Sequence, residues 1–477
     1  MDYTNEIPID ARVKPKLMPE LLRLVEAYRP MYGQARVYRR VLALVMSELF
    51  AFGRHTITQL LLTLGLTAEE WSSWYRLFSC QRFDEEKTAE VTVREVLKEV
   101  PEPAPCVVGV DGFHVPRCSM KMPGSGWMRG LKTAKFKPGI QRGQRFVEGS
   151  WLTPLVNGYS RAIPLRCLTA FTPKAVACEA EKPRTEVEAG LEFLTWMRGE
   201  MDRAGHDQQL LMVLGDGSYD TLAFWSGLPG RTIGVVRTAR NRCLYTLPSS
   251  DAHGNRKYGE KVPAPHQWLK QRKGFSRTTV MVRGQLRTMR YRVEGPFVRD
   301  ELPHVPLMLI VIGGGKRPKG SRRKQYDPCY FLVSAVLNDD GCWSLPLPIL
   351  DLLAWLWQRW ELEVAHRQMK SGLGLGEKQC WNEKATVATV QWSVWVYTLM
   401  MLAGYRTWGN DCGVKPPGRW QAPPQRWSFN TLWRTFRCEL WQQPDFRAVW
   451  TRSRDNWPEN EDLWDALFNS ALAASRT

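Results

Sequence analysis

Hydrophobic positions fall into two rhythms along this chain, and each predicts a different kind of element. Over the first hundred residues, 21–28, 37–52 and 91–100 carry apolar side chains at i, i+3 and i+4, which predicts amphipathic helices. Between them, HTITQLLLTLGLTAEEWSSWYRLFS has the outline of a helix-turn-helix. One helix runs through Leu64, Gly65 turns the chain, and Thr67 with Glu70 makes a T-x-x-E capping box for the next helix. Pro101, Pro103 and Pro105 then interrupt the pattern.

Short apolar runs follow. Residues 106–110 predict a central strand, and 146–155 and 159–171 predict two more, joined at the turn dipeptide Asn157-Gly158. A helix over 186–204, a strand over 210–215, a helix opening at 220–225 and a strand over 232–237 complete the series. Three strands, helix, strand, helix, strand is the order of a ribonuclease-H-like α/β fold. Residues 240–345 interrupt it with strand-like segments at 278–282, 288–293, 307–312 and 330–336, a β-rich insertion before the last helix. Residues 385–405 run without a charge and are long enough to cross a bilayer. Thr386, Thr389, Gln391, Ser393 and Thr398, and the lack of a second such segment, favour a buried core helix and no membrane. A Pro-rich stretch at 415–424 leads to a C-terminal region bearing Trp427, Trp433, Trp441, Trp450, Trp457 and Trp464, a spacing typical of core or interface. The expected domains are 1–100 (helical, with a possible DNA-binding helix-turn-helix), 101–239 with 346–410 (catalytic core), 240–345 (insertion) and 411–477.

Charge narrows the partners. Lys plus Arg number 66 against 48 acidic residues, a net charge of +18, which points to a polyanion, nucleic acid before membrane. Cations interleave with Gly, Pro and aromatics at 117–146, and KRPKGSRRK at 316–324 includes Lys316, Arg317, Arg322 and Arg323. The 11 cysteines lack any C-x-x-C pair, so they read as reduced thiols of a cytosolic protein, not as a zinc site or disulfide framework. No basic-then-apolar leader opens the chain, and no H-E-x-x-H occurs.

The chemistry is carried by three acids. CVVGVDG and LLMVLGDG are apolar runs ending at Asp111 and Asp216. In WQRWELEVAHRQMK, Arg359, Glu363, His366 and Lys370 recur at i, i+4, i+7 and i+11 as one stripe, beside an apolar stripe of Leu353, Trp357, Trp360 and Val364. Taken alone, such a stripe reads as surface ion pairs. Joined to two strand-end aspartates, it predicts a carboxylate site for phosphodiester chemistry, in which two Mg²⁺ ions about 3.5–4 Å apart activate one oxygen and stabilise another. Oxygen ligands suit Mg²⁺. Asp111 would bridge the ions, with Asp216 and Glu363 each completing one, and Arg359 and Lys370 would hold phosphates. A glycosidase-like acid pair gives no reason for the basic surroundings. Asp220, Glu361 and Glu377 are rival acids.

These residues resemble the DDE transposases of bacterial insertion sequences, in the superfamily whose last motif is Tyr-x2-Arg-x3-Glu-x6-Lys. Arg359, Glu363 and Lys370 stand at those spacings, RW-x-LE and K370-SGLGLGE are similar to the family wording, and VGVDGFHVPR and VLGDGSYD resemble its two Asp blocks. The Tyr position is Leu356 here, with Trp357 beside it to stack in its place. The resemblance implies catalysis by Asp111, Asp216 and Glu363 with two Mg²⁺ or Mn²⁺ ions, and DNA contacts from Arg359, Lys370, His366 and Trp357. It also implies terminal inverted repeats and target DNA as partners, a homodimer or larger assembly on DNA, and a bacterial cytoplasmic, nucleoid-associated location. A two-metal nuclease without strand transfer and an inactive basic DNA-binding protein are the alternatives.

Overall fold

The computed structural model describes residues 16–129, 139–248, 257–271, 273–314, 327–410 and 426–441. The basic turn with Lys316, Arg317, Arg322 and Arg323 lies outside the described residues, as do Trp450, Trp457 and Trp464. The chain divides into two compact units, one comprising Met1–Val91, Gln368–Cys380 and Lys384–Thr477, the other Thr92–Arg367 and Trp381–Glu383.

The first unit is helical. Its helices are α1 (Leu17–Ala27), α2 (Ala35–Phe50), α3 (Ile57–Thr63), α4 (Ser72–Ser79) and the start of α5 (Glu85–Leu97). Gly65 turns the chain after α3 with φ +73°, as expected. The expected Thr67–Glu70 capping box does not form: α4 starts at Ser72, whose backbone N–H is bonded by the Glu70 carboxylate at 2.8 Å. Five residues rather than one therefore separate the Gly65 turn from the N-cap, Trp71.

In the second unit β1 (Cys106–Pro116), β2 (Gly126–Arg129), β3 (Ile140–Leu152) and β4 (Ala162–Thr169) precede α6 (Glu186–Arg203). Then come β5 (Leu211–Gly215), α7 (Leu222–Gly227) and β6 (Thr232–Arg237). β4 pairs antiparallel with β3 and β3 with β1, while β1, β5 and β6 are mutually parallel. The order β4-β3-β1-β5-β6 is the expected ribonuclease-H-like core. All five residues of β5 are buried, as a strand covered on both faces requires. Asn157 and Gly158 both take positive φ, 50° and 70°, the pair of values that a type I′ turn requires.

The insertion brings β7 (Tyr245–Thr246), α8 (Pro265–Trp268), β8 (Ser276–Val282), β9 (Gln285–Arg299), β10 (Leu302–Ile312), β11 (Cys329–Ser334), β12 (Val336–Leu337) and β13 (Trp343–Ser344). It extends the core sheet, because β11 pairs antiparallel with β6 and is followed outward by β10 and β9. The helices α9 (Ile349–Trp355) and α10 (Trp360–Gly372) follow, and α10 runs from the second unit into the first. The uncharged segment is α11 (Glu383–Trp408), grouped with the N-terminal helices, and 94% of its apolar window is buried inside the fold. A short α12 (Phe429–Trp441) closes the described chain.

The helix expected over 357–370 begins three residues later, at Trp360. α9 ends at Trp355 and α10 begins at Trp360, with Leu356–Arg359 between them. The buried face of α10 is Leu362, Ala365 and Met369, whereas Trp360 is 48% exposed and lies over the Arg283 guanidinium. Of the expected apolar stripe, Leu353 on α9 is fully buried, but Trp357 and Val364 are half-buried and Trp360 is exposed, so on α10 the stripe is not the face that enters the core.

Candidate active site

The site forms where β1 parts from β5. Their parallel register ends at the pair Gly109↔Leu214, and β1 continues alongside β3 alone. Asp111 is thus not the last residue of its strand, as the sequence implied. It lies just past the last parallel pair, at the carboxyl-end crevice where α/β sheets bind ligands. Asp216 follows the end of β5 and caps a short 3₁₀ turn, its Oδ1 accepting from the backbone N–H of Ser218 at 2.7 Å and its hydroxyl at 2.5 Å.

α10 supplies Glu363, and a glycine decides how closely. A Cβ on Gly109 would stand 2.5 Å from Cδ1 and 3.3 Å from Cγ of the fully buried Leu362. Only a bare backbone lets α10 lie this low on β1. One turn before Glu363, Arg359 reaches Asp111 Oδ2 at 3.1 Å and Glu363 Oε1 at 2.5 Å. Asp111, Glu363 and Asp216 all act electrostatically on this guanidinium. Three acids far apart in sequence therefore gather around one cation.

Burial pushes the Asp111 carboxyl up to about 6, assisted by repulsion from Asp216 and Glu363 and opposed by His366 and Arg359. Among the described residues no three His, Cys, Asp or Glu side chains converge as a ready-made ligand set. Arg359 stands between Asp111 and Glu363, where a cation would relieve the same repulsion. The donors are all hard carboxylate oxygens, the set a divalent Mg²⁺ or Mn²⁺ prefers, so the residues fit such an ion.

The other expected residues are placed differently. His366 is an interior group, 8% exposed, with its ring 4.9 Å from Phe113 and Nε2 3.5 Å from the fully buried Glu148. That position favours tuning the acids over touching DNA. Arg359 is likewise engaged with the acids. Trp357 is half-buried in the turn before α10, and Lys370 is exposed on the part of α10 that belongs to the helical unit. The rival acids have other work. Asp220 is buried, bonded to Arg299 at 3.0 Å, Arg242 at 2.5 Å, Thr238 at 2.6 Å and Trp225 at 3.0 Å. Glu361 pairs with Arg283 at 3.0 Å, and Glu377 accepts from the His55 backbone at 2.7 Å.

One acid was missed. Glu186, the first residue of α6, lies over Gly112, where an added Cβ would meet its carboxyl carbon at 2.5 Å. Arg145 Nη1 is 3.5 Å from its Oε2. In sequence it reads as a first-turn acid favoured by the helix dipole. The glycine directly after Asp111 was the one available signal.

A family model described as a DDE superfamily endonuclease matches residues 30–295, a span that includes Asp111, Glu186 and Asp216 and ends before Glu363. Among solved structures the chain is similar to one titled "Cryo-EM structure of piggyBac transposase synaptic complex with hairpin DNA". The identity is 9% and the TM-score 0.37, over 95% of this chain and 88% of that chain. No curated protein matches the chain.

Proposed function

The chain belongs to the DDE superfamily endonucleases, and on that premise we propose that it is a DNA transposase that cuts at the ends of its element and joins them to target DNA. The observation that carries this reading is the gathering of Asp111, Asp216 and Glu363 about Arg359 at the carboxyl-end crevice of the sheet. Endonucleases of this superfamily generally use divalent metal ions. Asp111, Asp216 and Glu363 would hold two of them, Mg²⁺ or Mn²⁺. When bound, such ions activate an attacking oxygen and stabilise a leaving one.

The protein's own contribution is placement. β1 and β5 fix the two aspartates on adjacent strands, and Gly109 seats the helix that brings Glu363 to them. Arg359 holds Asp111 and Glu363 together against their repulsion before DNA arrives. Burial of the crevice strengthens each of these charge interactions. The partners are terminal inverted repeats and target DNA, bound by Lys370, Trp357 and the basic segment 316–324, with a dimer or larger assembly pairing two ends in a bacterial cytoplasm. A nuclease that cuts without joining is the second reading, favoured by the family description, which specifies an endonuclease alone.

The test is metal-dependent nicking of DNA that carries the element's ends, followed by joining to a target duplex. Asp111→Ala, Asp216→Ala and Glu363→Ala should each abolish nicking while salt-dependent DNA binding persists. Wild-type nicking by any one variant removes that residue from the site, and nicking without joining by the unmodified protein selects the nuclease reading.

A further inference from the structure

The acidic side of the site is larger than three residues. Asp111, Asp216, Glu363 and Glu186 face the guanidiniums of Arg359 and Arg145, which leaves two negative charges unbalanced among these six groups. Arg359 serves Asp111 and Glu363. On the other flank, the Ser218 hydroxyl donates to Asp216 at 2.5 Å, and Ser218, Asp216 and Asp111 all lie close enough to act on the Glu186 carboxyl. Glu186 thus lies within electrostatic reach of Asp216 and Asp111, and its carboxyl fills the place that a side chain at Gly112, next to Asp111, would take.

Glu186 is also held in place. It is the first residue of α6, fixed by the reciprocal Thr185–Glu188 capping box. Arg145 steadies its carboxylate at 3.5 Å and is itself tied to β1, with its Nε donating to His114 Nε2 at 3.1 Å. An acid kept for helix capping alone needs no bare backbone beside the first aspartate. Here the residue after Asp111 must be glycine for the Glu186 carboxylate to sit where it does.

We propose that Glu186 is a fourth carboxylate of the divalent-metal site, serving the flank of Asp111 and Asp216 opposite Glu363. The proposal rests on the metal-dependent reading above and adds a ligand to it. Mg²⁺ and Mn²⁺ favour about six oxygen ligands, so two ions shared by three carboxylates leave many positions to water, and a fourth acid fills one of them.

The experiment is Mn²⁺ binding to the full chain without DNA, followed by the electron paramagnetic resonance of free Mn²⁺, together with the metal dependence of nicking. Glu186→Gln should weaken Mn²⁺ binding by about tenfold or more, the scale of losing a group that supports a metal site. The Mn²⁺ concentration for half-maximal nicking should rise in step, with the rate largely recovered at saturating metal. Glu186→Asp should fall between. Gly112→Ala, which displaces the carboxylate without removing its charge, should also weaken binding, and it provides an independent variant should Glu186→Gln fold poorly. Wild-type Mn²⁺ affinity and metal dependence in Glu186→Gln would overturn the assignment and leave Glu186 as an ion-pair partner of Arg145. If the unmodified protein neither binds Mn²⁺ nor nicks DNA, the metal-dependent reading falls and the fourth ligand falls with it.

Discussion

Gly109→Ala probes how a bare strand backbone sets the position of the helix that carries Glu363. The new Cβ would lie 2.5 Å from Leu362 Cδ1, 3.1 Å from Cδ2 and 3.3 Å from Cγ. Carbon atoms settle at about 3.5–4.0 Å, so relief requires a movement of roughly 1 Å. Rotating one methyl away is insufficient, because Cγ is itself too close and Leu362 is fully buried. The helix must lift, and Glu363 follows Leu362 directly in sequence. Overpacking of this kind costs about 1–3 kcal/mol. A displacement of about 1 Å in a catalytic group lowers rates by about a hundredfold. The assay is single-turnover nicking of element-end DNA at saturating Mn²⁺, with folding checked by circular dichroism. Adding Leu362→Ala to Gly109→Ala should restore much of the rate although Leu362→Ala alone costs about 2–5 kcal/mol. A folded Gly109→Ala protein that nicks within threefold of the unmodified chain would refute the reasoning.

Two other perturbations follow from buried charge. Lys378 Nζ lies 2.9 Å from Glu48 Oε1 in the helical unit, with the two side chains 1% and 0% exposed. Burial pushes the Glu48 carboxyl up, but Lys378 and His55 outweigh it and hold it down to about 2. Lys378→Met should therefore destabilise the chain by about 3–5 kcal/mol in urea unfolding at neutral pH, and an unchanged midpoint would show the pair to be inert. Asp111 has the opposite sign. With its carboxyl raised from 3.8 to about 6, the metal-free protein holds this contribution below about pH 4 and loses it as pH rises through about 6, on the order of 3 kcal/mol. Unfolding in EDTA across that range should show a fall in stability that Asp111→Asn removes, and identical profiles for the two proteins would contradict the assignment.

The amino-acid sequence determined the elements and two of their chemical positions without help. Asp111 and Asp216 each follow a dense apolar run, within β1 and just after β5, and the Arg359–Glu363 spacing is one helical turn, so these signals lie within a few residues of one another. The insertion was visible for the same reason, as alternating strand segments that β11 and β10 confirm. Only the tertiary structure decided which side of each element does what. Trp360 turned outward over Arg283 while Glu361 and His366 turned inward, because each inward group has a charged partner, Arg283 and Glu148, that lies far away in the chain. Asp220 and Glu186 looked alike as helix-flanking acids. Two arginines from distant segments make the first an anchor, and a missing Cβ on a neighbouring strand brings the second to the site. Local periodicity fixes backbone conformation, whereas the work of a buried charge depends on which partners the fold brings within a few ångströms.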